Sequence, residues 1–182
     1  GDGMSGATVT GGGDINGDGL ADLVVASRAN YTISAGWYPM EYASSGTTSE
    51  TYVVFGKNNT TAVNLTALTA ATNLTNTASA LGFKVNTTGT TPAGWSVSNA
   101  GDVNGDGLDD MLVGNPNYGA RDGRAYLIYG KASGAAVEVS SLPAIGASNS
   151  VGFMVTADQP SNNPGLTTMA SGDVNGDGYS DL

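Results

Sequence analysis

The nine-residue pattern D-x-N-x-D-G-x-x-D occurs three times, as Asp14 to Asp22, Asp102 to Asp110 and Asp173 to Asp181, each preceded by Gly. A pattern that returns at this spacing implies a modular fold in which each module repeats one supersecondary unit. Other elements recur around it in a constant order. After the first copy come Leu23-Val24-Val25-Ala26, Tyr52-Val53-Val54-Phe55-Gly56-Lys57, Gly82-Phe83-Lys84-Val85 and Gly94-Trp95-Ser96-Val97-Ser98. After the second come Met111-Leu112-Val113-Gly114, Tyr126-Leu127-Ile128-Tyr129-Gly130-Lys131, Gly152-Phe153-Met154-Val155 and Gly165-Leu166-Thr167-Thr168-Met169.

The runs are short, rich in Val, Leu, Ile, Tyr and Phe, and bounded by Gly, Asn, Asp or Pro, which is the signature of strands. Spacing shows where the units tolerate extra chain. Asp14 lies 38 residues before Tyr52 whereas Asp102 lies 24 before Tyr126, but Gly82 to Asp102 and Gly152 to Asp173 are almost equal, at 20 and 21. The first unit therefore carries an insertion near 28–50 while its framework keeps its period. Four strands per repeat of this length fit a four-stranded propeller blade, so the expected fold is all-β. The third copy is only beginning at Asp173, so the chain reads as a fragment: two blades and the start of a third.

Oxygen-bearing side chains stand at positions 1, 3 and 5 of each copy, Gly at position 6 permits a sharp turn, and another Asp closes at position 9. A chain curling round a point directs such alternate side chains inward, and hard oxygen donors select Ca²⁺. The expected ligands are Asp14, Asn16, Asp18 and Asp22; Asp102, Asn104, Asp106 and Asp110; and Asp173, Asn175, Asp177 and Asp181. The position-7 backbone carbonyls of Leu20, Leu108 and Tyr179 are the expected fifth donors. Three carboxylates gathered within a few ångströms repel one another without a cation. Position 12 holds Val25 or Val113 instead of the closing Glu of an EF-hand.

Composition narrows the chemistry further. With no Cys and no His, thiolate nucleophiles, Cys-based metal sites and the usual general base are absent from these 182 residues. A net charge of −10 with six scattered cations opposes nucleic acid. Nine of the 16 acidic residues sit at ligand positions, so three Ca²⁺ ions would bring the formal charge from −10 to −4. No apolar run approaches the roughly 20 residues of a membrane helix.

Gly94-Trp95-Ser96-Val97, Gly101-Asp102-Val103-Asn104-Gly105-Asp106-Gly107, Asp110-Met111-Leu112-Val113-Gly114-Asn115-Pro116 and Tyr126-Leu127-Ile128-Tyr129-Gly130 together resemble the FG-GAP repeat of integrin α-chain β-propellers and their bacterial, adhesin-like relatives. That resemblance implies blades whose calcium loop joins the first and second strands, closing into a ring with further blades. It places a first blade over about 1–80, a second over about 81–150, and the end of the second with the start of a third over 151–182. It also implies a secreted or cell-surface protein with a structural or adhesive role and no catalysis in this segment. The remaining blades are the expected partners, with a cell-surface protein or a glycan as the outside partner. An accessory propeller of an extracellular hydrolase and a carbohydrate-binding propeller are the alternative functions.

The insertion gathers Tyr31, Trp37, Tyr38 and Tyr42, a candidate recognition loop because aromatic anchors dominate binding surfaces. Asn30, Asn58, Asn59, Asn64, Asn73 and Asn86 begin N-glycosylation sequons, which Asn/Thr-rich strands also produce by composition alone.

Overall fold

The computed structural model describes residues 4–28, 31–33, 42–44, 50–65, 68, 81–86, 96–115, 124–147, 150–156 and 171–182. The described residues are all-β, in two main sheets and a two-stranded ribbon. The first contains β1 (Met4–Gly13), β2 (Asp22–Arg28), β5 (Glu50–Val54) and β6 (Gly82–Asn86), side by side and antiparallel. The second contains β7 (Ser96–Gly101), β8 (Asp110–Asn115), β9 (Arg124–Ile128) and β11 (Gly152–Thr156) in the same arrangement. In both, the acidic loop joins the first strand to the second. The insertion contributes a small ribbon in which β3 (Tyr31–Ile33) pairs with β4 (Tyr42–Ser44).

Hydrogen bonding assigns β6 to the first sheet, so the first unit runs past the boundary expected near residue 80. Each Gly-Phe pair belongs to the last antiparallel strand of its own sheet, and β7, which precedes the second acidic loop, opens the second sheet. A repeat period alone does not say where a sheet begins. The second unit also reaches back: β10 (Val137–Glu138) pairs in parallel with β6, covering the edge of the first sheet.

Strand alternation gives each sheet two apolar faces. Val24, Val53 and Phe83 form one cross-strand row, and Leu112, Leu127 and Phe153 form the equivalent row of the second sheet. The first row packs against Met111, Val113, Tyr126 and Ile128 of the second sheet, which makes the main core. The second row faces away from that core and gathers Ala100, Val103 and Tyr129 in a smaller cluster. Accordingly β8 is buried on both faces, whereas Leu23 on the outer face of β2 remains 42% exposed.

Two details hold the sheets to this geometry. Gly82 and Gly152 have φ of 140° and 141°, and a Cβ on either would overlap a carbonyl oxygen of the adjoining strand, Val53 or Leu127. Only Gly fits there, so the Gly of each Gly-Phe pair is a backbone requirement. Lys131, from the second unit, lays its ammonium 4.3 Å from the centre of the Phe83 ring and donates to the Ala135 carbonyl. Burial pushes its amine down to about 8, and the ring face offsets part of that desolvation.

Among the described residues no helix is long and apolar enough to cross a membrane.

Candidate metal centre

The three acidic loops share one internal hydrogen-bond pattern. The position-1 carboxylate accepts from the position-5 N–H (3.0 to 3.1 Å) and the position-6 N–H (2.9 to 3.0 Å) in Asp14, Asp102 and Asp173 alike. The position-3 carboxamide oxygen of Asn16, Asn104 or Asn175 accepts from the same position-5 N–H, and its amide donates to the position-5 carboxylate at 2.9 to 3.0 Å. The position-5 carboxylate in turn accepts from the N–H of Leu20, Leu108 or Tyr179 at 2.8 to 2.9 Å. These Asx-type bonds curl the chain around its own polar side chains.

Position 9 does something the ligand pattern did not anticipate. Asp22 and Asp110 are buried, and each receives two backbone N–H groups. Asp22 binds Ile15 N–H at 2.8 Å and Gly56 N–H at 2.7 Å. Asp110 binds Val103 N–H at 2.9 Å and Gly130 N–H at 2.8 Å. This carboxylate therefore clasps the start of the loop to the end of the third strand. A sequence signal for it existed in the Phe55-Gly56-Lys57 and Tyr129-Gly130-Lys131 pairs. Asp181 repeats the first half of the clasp, accepting from Val174 N–H at 2.8 Å.

Burial, the largest influence, pushes the Asp110 carboxyl up to about 6 against its two N–H bonds, and the charges of Asp106 and Asp102 push the same way. Asp22 is also raised, again chiefly by burial. Tyr129 is raised by burial and by the neighbouring charges of Asp110 and Asp106.

The donor set fits a hard cation in kind: carboxylate, carboxamide and carbonyl oxygens, with no sulfur or imidazole. Among the described residues no group of three carboxylates stands together as ligands of one ion, and position 9 is engaged by its backbone donors. A carboxylate oxygen that accepts one N–H keeps a second lone pair, so the clasp and a metal bond are compatible.

The loops also touch one another. Asp109 N–H donates to the Asp14 carbonyl at 3.1 Å, and the Asp109 carboxylate accepts Asp14 N–H at 2.7 Å. Ser180 N–H donates to the Asp102 carbonyl at 3.0 Å, the same contact one unit later. Gly at position 4 belongs to this interlock. A Cβ on Gly17 would stand 2.7 Å from Leu108, and one on Gly105 would overlap the Tyr179 ring. Both also hold positive φ, 76° and 75°. The Asn-Gly-Asp spelling of all three copies was the visible sign of a requirement beyond metal ligation.

Of the candidate recognition residues, Tyr31 and Tyr42 stand on the paired strands β3 and β4, while Trp37 and Tyr38 lie outside the described residues. Trp95 and the sequons at Asn30 and Asn73 also lie outside them. Asn58, Asn59 and Asn64 are exposed and Asn86 is half-buried on β6.

No curated protein matches the chain. The family model described as FG-GAP repeat matches residues 93–128, a span that holds β7, the second acidic loop, β8 and β9, so the FG-GAP signature lies on the first three strands of the second sheet.

Proposed function

We propose that this chain is a calcium-binding segment of a secreted or cell-surface β-propeller, with a structural and adhesive role. The observation that carries the reading is that three loops keep every hard-oxygen donor and the same internal hydrogen bonds. Asp14, Asn16, Asp18, Leu20 and Asp22 hold the first ion, and the corresponding residues of the other two loops hold the second and third. The ions neutralise clustered carboxylates and tie strand connections together. FG-GAP repeats occur in extracellular and surface proteins, where calcium is abundant and such loops bind it with dissociation constants of about 10⁻⁴ to 10⁻³ M.

At millimolar calcium each site adds on the order of 1 kcal/mol by mass action. Three sites raise the thermal midpoint by roughly 5–10 °C for a chain of this size. Thermal unfolding with calcium and with chelator measures this directly. Identical midpoints in the two conditions, unchanged again in Asp106→Ala, would sink the calcium reading.

Further blades are the proposed partners. Val9 and Leu23 leave the outer face of the first sheet apolar and exposed, and Val174 is 87% exposed where its counterpart Ile15 is 1% exposed under the next unit. Such faces call for a neighbouring sheet. The chain alone is expected to self-associate in light scattering at micromolar concentration, and a strictly monomeric species would contradict the assignment of these faces.

A further inference from the structure

Among the described residues the backbone hydrogen bond between successive loops is made by the peptide that carries the position-7 carbonyl. In the second loop that peptide joins Leu108 to Asp109. Its carbonyl is the proposed fifth calcium donor of loop two, and its N–H donates to the Asp14 carbonyl of loop one. The Asp14 carbonyl belongs to the peptide whose other end, Ile15 N–H, donates to the Asp22 carboxylate. The same chain of groups runs from Tyr179 through Ser180 N–H and the Asp102 carbonyl to Val103 N–H and Asp110. A peptide polarised at its oxygen becomes a stronger N–H donor, and successive hydrogen bonds polarise one another.

We propose that the loops bind calcium cooperatively, as one relay in which filling each loop pre-orders the preceding one, with Asp109 as a positioning residue between the first two. This rests on the calcium reading above. An ion drawn to the Leu108 carbonyl fixes the adjoining residue 109. Asp109 then grips Asp14 from both sides, through its N–H to the carbonyl and its carboxylate to the N–H. Asp14 is the position-1 ligand of loop one, so its ordering cost falls before its own ion arrives. Coupling of this kind is reciprocal. Ser180 makes only the backbone half of the contact with Asp102, so the coupling of loops two and three is the weaker of the two.

Position-6 glycines make the loops separately observable. Gly19, Gly107 and Gly178 each donate their N–H to the position-1 carboxylate of their own loop. Calcium titration of the ¹⁵N-labelled chain, followed by NMR at these three amides, reads each midpoint. Asp106→Ala, which disables loop two, is expected to raise the Gly19 midpoint at least twofold. Asp109→Ala keeps every ligand and is expected to raise the Gly19 midpoint at least twofold while leaving Gly178 in place. Asp109→Asn keeps an acceptor for Asp14 N–H without the charge, so it restores the wild-type midpoint.

A Gly19 shift smaller than twofold in both Ala variants overturns the relay. Equal weakening in Asp109→Ala and Asp109→Asn also overturns it, since that reports only lost negative charge. If none of the three amides responds to calcium in the unaltered chain, the calcium reading itself fails, an outcome distinct from three amides titrating independently.

Discussion

Replacing Asp110 by Ala is expected to lower stability by about 2–4 kcal/mol in the presence of chelator, the largest loss of any single loop residue. The reason lies in the clasp rather than in metal binding. Asp110 is 0% exposed, and its removal leaves Val103 N–H and Gly130 N–H without their acceptor. A buried donor left unpaired costs about 1–3 kcal/mol, and two are lost together. Asp106→Ala, at the exposed rim of the same loop, should cost less than about 1 kcal/mol without calcium, because its partners gain access to water. Denaturant unfolding in chelator separates the two roles. Equal losses for both variants would show that position 9 is no clasp.

The same carboxylate gives a pH signature. Its folded value of about 6 lies above the ordinary 3.8, so between these limits the folded chain binds more protons than the unfolded chain. Its contribution to stability then falls as pH rises from about 3.8 to about 6 and levels off above, and this segment of the profile should shrink in Asp110→Ala, leaving the part that belongs to Asp22, which burial raises in the same direction. Calcium works in the opposite direction at neutral pH, since an ion favours the ionised carboxylate.

Phe83→Ala is expected to cost about 3–5 kcal/mol, close to the whole margin of many domains. The Phe83 ring is fully buried between the sheets, meets Phe55 edge-on at 6.0 Å and carries the Lys131 ammonium over its face. Its loss opens a cavity and removes the group that offsets burial of that cation. Phe153 holds the same place in the second Gly-Phe pair, but it is half-buried and meets Tyr129 edge-on, at 6.3 Å. Phe153→Ala should therefore cost about half as much, in proportion to the smaller area withdrawn from water. Chemical denaturation of the two variants side by side tests this. Equal costs would mean that the two rows do not differ in burial as the sheets place them.

Strands, their order within a unit and the acidic loops were legible because each leaves a local mark. Val, Leu and Tyr runs bounded by Gly and Asp have few options but strands, and β2, β5, β8 and β9 fall on them. Positions 1, 3 and 5 act within five residues of one another, so their spacing is their geometry. The clasp at position 9 is not legible in this way: its Asp reads as one more ligand, and its partners Gly56 and Gly130 stand 34 and 20 residues away. Nothing within the motif states that distance.

Short-range pattern is enough to specify a modular, all-β chain with three loops of one hard-oxygen donor spelling, because repeats, strand alternation and turn chemistry are all written locally. Only the tertiary structure decided which of two equivalent residues matters more. Ile15 and Val174 share position 2, and Phe83 and Phe153 share the Gly-Phe pair, but a neighbouring sheet covers the first of each and not the second. It also decided that loops meet through position 8 and position 4, with β10 crossing back to β6. The physical reason is common to all of these: burial and hydrogen-bond partnership are properties of what lies across the interface, and a local pattern can specify only its own side of it.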